Sequence, residues 1–118
     1  MDASLTRTLA GDLTDSIASG NEIGRVTCQV NGQRVISDPI QGQERQLPAA
    51  DVYDAAVALG CALDQGVAVY HTHPNVSDVI LSPGDVQAVA RNEWIAKLCA
   101  VTRDGVGCWT RRNLNLTK

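Results

Sequence analysis

The sequence predicts a single α/β domain in which a mixed, mostly antiparallel sheet is flanked by helices. Three observations carry that expectation. Three stretches place apolar residues at helical spacing, and two β-rich pairs each fold around a turn signal. The chain has 118 residues, which fits one core and leaves too little for a second. The domain is therefore taken as residues 1–118.

The first element is a helix, because Leu5, Leu9, Leu13 and Ile17 recur every four residues and Ser19-Gly20-Asn21 ends the run. Next, GRVTCQV and QRVIS flank Asn31-Gly32, the strongest short-range signal for a hairpin. The stretch SDPIQGQERQL, from Ser37 to Leu47, is polar and carries Pro and Gly, so it reads as a surface loop. A second helix starts at Pro48. Its apolar positions are Val52, Ala55, Ala56, Leu59, Ala62 and Leu63, with Gln65-Gly66 as the stop. The short apolar run VAVY then enters His71-Thr72-His73-Pro74, which predicts a buried central strand whose end reaches the surface. Ser82-Pro83-Gly84-Asp85 opens a third helix with Val86, Val89 and Ala90 on one face. IAKLCAVT and VGCWT, joined by Arg103-Asp104-Gly105, make a second hairpin.

Composition narrows the function classes. A net charge of −3 provides no field for nucleic acid, and the basic residues near the C-terminus are too scattered to form a patch. No stretch approaches the roughly 20 apolar residues that span a bilayer, and MDASLTRTLAGDLTDS lacks the apolar run of a signal peptide. The expectation is a cytoplasmic protein that engages neither nucleic acid nor membrane. The aromatic content of 3%, without Phe, requires a core of Val, Leu, Ile and Ala. Cys28, Cys61, Cys99 and Cys108 form no CxxC pair, so they are expected to be reduced packing residues rather than a zinc knuckle. Cys99 and Cys108 flank a turn and lie close enough along the hairpin to bond.

The candidate chemistry lies at the predicted strand end. His71 and His73 are the only histidines, and a spacing of two on a strand points both imidazoles to one face. A catalytic zinc site takes three protein ligands, commonly two His and a carboxylate, and keeps one position open. Asp85, in the first turn of the next helix, can be the third ligand. Ser82-x-x-Asp85 is also a capping box, which by itself explains a helix start. The two readings are compatible, because a capped helix would hold the carboxylate in fixed orientation.

The string HTHPNVSDVILSPGD resembles the HxHP(x)nSxxD signature of the JAB/MPN (JAMM) metalloprotease family, with eleven residues between His73 and Asp85 against the usual ten. The order of predicted elements resembles that family as well. The resemblance implies a three-layer fold like that of cytidine deaminases, Zn²⁺ held by His71, His73 and Asp85, and a Ser82 hydroxyl that stabilises the oxyanion. It further implies an upstream Glu as general base. Of Glu22, Glu44 and Glu93, Glu22 matches best because Asn21-Glu22-Ile23-Gly24 joins the first helix to the first strand; Glu44 is the fallback. The implied activity is hydrolysis of an amide bond in a peptide or ubiquitin-like protein substrate, with the loop from Ser37 to Leu47 as the candidate for substrate selection. The alternative is a catalytically inactive interaction module or a toxin-associated domain.

Overall fold

A computed structural model describes residues 3–44, 46–75 and 80–116. Arg45 in the polar loop, Val76-Ser77-Asp78-Val79 between His73 and Ser82, and Lys118 lie outside them. The place of the extra residue in that connection is therefore not described. The elements run α1 (Ala3–Ser19), β1 (Ile23–Val30), β2 (Gln33–Ile36), β3 (Ile40–Gln41), α2 (Ala49–Leu59), β4 (Val67–Thr72), α3 (Pro83–Arg91), β5 (Ile95–Thr102) and β6 (Gly105–Thr110). This is the mixed α/β architecture expected, with a mostly antiparallel sheet.

The sheet order is β2-β1-β4-β5-β6, and among the described residues only the β4–β5 pair is parallel. That pair needs a crossover, and α3 lies within it. The β1–β2 hairpin turns at Asn31-Gly32, both at positive φ (53° and 79°), a conformation that Asn and Gly adopt most readily.

Strand alternation divides the core. On β4, Val67 and Val69 join Val26, Cys28, Leu98, Val52 and Ala56 of α2, and Val89 of α3. Ala68 and Tyr70 face the other way, onto Leu5 and Leu9 of α1 with Cys99 and Val101 of β5. One sheet face is covered by α1 and the other by α2 and α3, so β4 is buried at all six positions. Each fully buried Val or Leu contributes roughly 1.5–3 kcal/mol. An ion pair also fastens α1 to β1. The Arg25 guanidinium donates to both Asp12 carboxylate oxygens at 2.9 Å and to the Ser37 carbonyl at 2.9 Å.

Four expectations are corrected. The buried positions of α1 are Leu5, Leu9, Asp12 and Ser16, whereas Ile17 is exposed. Four residues turn a helix through 400°, so a strict i+4 series drifts about 40° per step and leaves the covered stripe. Residues 37–47 are not all loop: Ile40 is buried and β3 pairs with β1 beside Ile23 and Gly24. The second helix stops at Leu59, not near Gln65, because Gly60 adopts a left-handed cap (φ 89°) whose N–H binds the helix end. Finally, the cysteines are not reduced packing residues. Cys28 is bonded to Cys61 and Cys99 to Cys108. Cys99 and Cys108 stand directly opposite on β5 and β6, as the hairpin permitted. The Cys28–Cys61 pair joins β1 to the segment after α2, a contact 33 positions apart that no local pattern announces.

Candidate metal centre

His71 and Thr72 close the buried strand β4, and His73 follows with its N–H still donating to the Val101 carbonyl of β5 at 2.9 Å. The extended backbone therefore continues through both histidines, and their rings face the same side, 4.5 Å apart between centroids. The strand partner β1 runs antiparallel with Gly24 opposite His71. Continuing that register sets Glu22 opposite His73, on the same face.

Asp85 comes from α3. The Ser82 hydroxyl accepts from the Asp85 N–H at 3.1 Å, and Asp85 Oδ2 accepts from the Ser82 N–H at 2.9 Å, completing the capping box with Pro83 in the first turn. The cap thus orients the carboxylate. At the far end of α3, the Arg111 guanidinium donates to the carbonyls of Val89 and Ile95 at 2.9 and 3.0 Å, tying the helix to β5. Sequence reading offers no signal for Arg111, which comes from the tail beyond β6.

The three donor atoms converge. Nε2 of His71 and Nε2 of His73 are 2.8 Å apart, and each lies 3.2 Å from Asp85 Oδ2. Such a triangle is awkward for hydrogen bonds alone. If both rings donate to Asp85, two donors confront each other at 2.8 Å; if one ring donates to the other, the acceptor's lone pair faces the carboxylate oxygen. A cation resolves the conflict by accepting all three lone pairs. Zinc bonds of about 2.0–2.1 Å set the edge of a tetrahedron at about 3.3–3.4 Å, and the observed triangle has a circumscribed radius of about 1.8 Å, so a point about 2 Å from all three atoms lies about 1 Å off their plane. The donor set, two imidazoles and a carboxylate, also suits zinc with an open position.

Electrostatics agree with that grouping. Burial pushes the Glu22 carboxyl above its ordinary value, as does the nearby Asp85 charge, while His71 and His73 oppose the shift. His73 is raised mainly by its hydrogen bond to Asp85, against the effect of burial. For Asp85, burial raises the carboxyl, but the hydrogen bonds from His71 and His73 and from the Ser82 N–H outweigh it and hold the group well below the usual carboxylate range.

Glu22, His71, Ser82 and Asp85 line one cleft of about 440 Å³, which Leu47, Arg91 and Trp94 also line. Glu22 is 7% exposed, while the fallback Glu44 is exposed in the loop and does not line the cleft. The Glu22 backbone is clamped. Its N–H donates to the Gln43 carbonyl and its carbonyl accepts from the Gly42 N–H, both at 2.8 Å. A Cβ at Gly42 would fall 2.6 Å from the Gln46 carbonyl and 2.9 Å from that of Glu22, so only glycine lets the chain close there. Ser82 uses a lone pair for the cap, and its O–H has no acceptor among the described residues and lines the cleft.

All five residues singled out by the sequence therefore meet at one place. Comparison with family models, with curated proteins and with solved structures gave no match. The case for the site accordingly rests on its own geometry.

Proposed function

We propose that the domain is a zinc-dependent hydrolase of amide bonds, of the JAMM metalloprotease kind, acting on a peptide or on the tail of a ubiquitin-like protein. The observation that carries the reading is the triangle of His71, His73 and Asp85 donor atoms opening into the cleft that also holds Glu22 and Ser82. When bound, zinc would supply Lewis acidity, acidifying water and polarising an amide carbonyl. Glu22, buried beside the ligands yet outside the triangle, takes the proton of the attacking water and returns it to the departing amine. Its raised proton affinity suits a group that must hold and then release a proton. The Ser82 hydroxyl donates to the oxyanion as it forms.

The test is cleavage of a panel of ubiquitin-like fusions and unstructured peptides by the full chain, before and after chelation. The reading expects turnover that chelator abolishes and zinc restores. A zinc-loaded protein that cleaves nothing in the panel contradicts it.

One observation favours a second setting for the same chemistry. Both cysteine pairs are disulfides, and such bonds persist in oxidising compartments far better than in the cytoplasm. We therefore place the domain outside the reducing cytoplasm, as suits a toxin-associated domain, in preference to the cytoplasmic location expected from its opening residues. Among the described residues no helix is long and apolar enough to cross a membrane. Non-reducing mass spectrometry of the protein from its native source reads the compartment directly: free thiols would return it to the cytoplasm.

A further inference from the structure

Thr72 lies between the two histidines, and strand alternation turns it away from them. Its side chain is 1% exposed, and the Ser16 side chain it meets, on α1, is fully buried. Two hydroxyls in an apolar layer need partners, and here they complete one another. The Ile23 N–H donates to Thr72 Oγ1 at 2.9 Å, the Thr72 hydroxyl donates to Ser16 Oγ at 2.7 Å, and the Ser16 hydroxyl donates to the Asn21 carbonyl at 2.5 Å. Each oxygen accepts or donates in the same sense, so the chain of bonds runs one way without conflict.

The ends of this chain bracket one residue. Ile23 follows Glu22 and Asn21 precedes it, while the N–H and carbonyl of Glu22 itself are held by Gln43 and Gly42. Thus the backbone groups on both sides of Glu22 are fixed from the α1 side, and its own two groups from the loop side. The middle of the chain is the peptide segment that carries both metal-ligand candidates.

We infer that the Ile23–Thr72–Ser16–Asn21 relay is a positioning device that sets the Glu22 carboxylate relative to His71 and His73, making Thr72 and Ser16 positioning residues for the proton transfer. The inference rests on the proposed hydrolase reading. It explains why a buried polar pair sits beside the apolar cluster of Leu5, Leu9, Ala68, Tyr70 and Val101, where two apolar side chains would pack without needing partners. It also separates two duties of one segment: His71 and His73 turn their imidazoles to one face, and Thr72 between them holds the neighbouring strand's Glu22 in register with them.

The experiment uses the zinc-loaded full chain with Thr72→Val, Thr72→Ser and Ser16→Ala. Thr72→Val keeps the shape and removes the hydroxyl; Ser16→Ala breaks the relay on a helix that supplies no ligand. Support consists of a 10- to 100-fold fall in kcat for Thr72→Val and Ser16→Ala, the range about expected for a partner that orients a reacting group. KM and zinc stoichiometry stay unchanged, and Thr72→Ser recovers most of kcat. Hydrogen exchange at the Ile23 amide accelerates in Thr72→Val but not in Thr72→Ser. The ¹³C signal of the Glu22 carboxyl shifts in the same variants.

Three results overturn the inference: kcat undiminished in Thr72→Val despite faster Ile23 exchange, no change in Ile23 exchange at all, or loss of zinc from Ser16→Ala. A wild-type protein without turnover would instead sink the hydrolase reading. The exchange and carboxyl signals would still decide whether the relay holds Glu22.

Discussion

Replacing Glu22 by Gln removes a proton acceptor while keeping the side chain's size and its backbone clamp. General-base catalysis contributes about 10²–10⁴-fold, or about 2.7–5.4 kcal/mol of barrier. Where in that range this site falls follows from its surroundings. The titratable groups lining the cleft are Glu22, His71, Asp85 and Arg91. His71 and Asp85 are committed as ligands in the proposal, and Arg91 is a permanent cation, so among the described residues lining the cleft none can take over the proton. The loss is expected in the upper half, about 10³–10⁴-fold in kcat. Zinc content should not change, because Glu22 is outside the donor triangle, and metal-free stability should be equal or higher, because burial disfavours the Glu22 charge. The assay is single-turnover cleavage of the best fusion from the panel, with metal analysis of the same sample. Activity within about threefold of wild type, with zinc bound, would refute the assignment of Glu22.

The remaining predictions concern the cap, the protonation of the ligands and the crosslinks. Ser82→Ala should lower kcat about 100- to 1,000-fold by removing an oxyanion donor and cost about 1 kcal/mol of stability by removing the N-cap; urea unfolding with kinetics separates the two, and a loss of stability alone would leave Ser82 a cap only. Zinc affinity should fall on acidification, because imidazole must be neutral to bind. Since Asp85 raises the His73 pKa above 6.5, the fall should begin above that pH and approach about tenfold per unit for each proton displaced; calorimetry giving a flat profile down to pH 5.5 would contradict it. Of the two crosslinks, Cys28–Cys61 closes the longer loop (sequence separation 33 against 9). Chain entropy then gives it about 4 kcal/mol against about 3 for Cys99–Cys108, so Cys28→Ser/Cys61→Ser should lower Tm more than Cys99→Ser/Cys108→Ser in thermal scans.

Much of this arrangement was legible in the chain because it depends on short-range geometry. The pair His71 and His73 reveals its shared face through strand period alone, and Ser82-Pro83-Gly84-Asp85 reveals a capped helix start that fixes a carboxylate. Glu22 could be ranked above Glu44 from its place between a helix and a strand. What sequence could not disclose are partners distant along the chain. Ser16 and Thr72 are 56 positions apart, and each alone reads as an ordinary polar residue. Cys61 finds Cys28 only once α2 has packed on the sheet, and β3 exists because β1 presents a free edge beyond the end of β2. The drift of α1 was computable from the helical angle, so Asp12 and Ser16 under the helix could have been found by plotting 100° steps instead of following leucines.

The central claim is that His71, His73 and Asp85 share one ion. Zinc content and X-ray absorption of the wild type, beside His71→Ala, His73→Ala and Asp85→Ala, test it most directly. The account predicts one zinc per chain with nitrogen and oxygen neighbours at about 2.0–2.2 Å, and loss of stoichiometric binding in each variant. A wild type that stays metal-free after zinc supplementation, or an Asp85→Ala protein that binds zinc as tightly as the wild type, would contradict it.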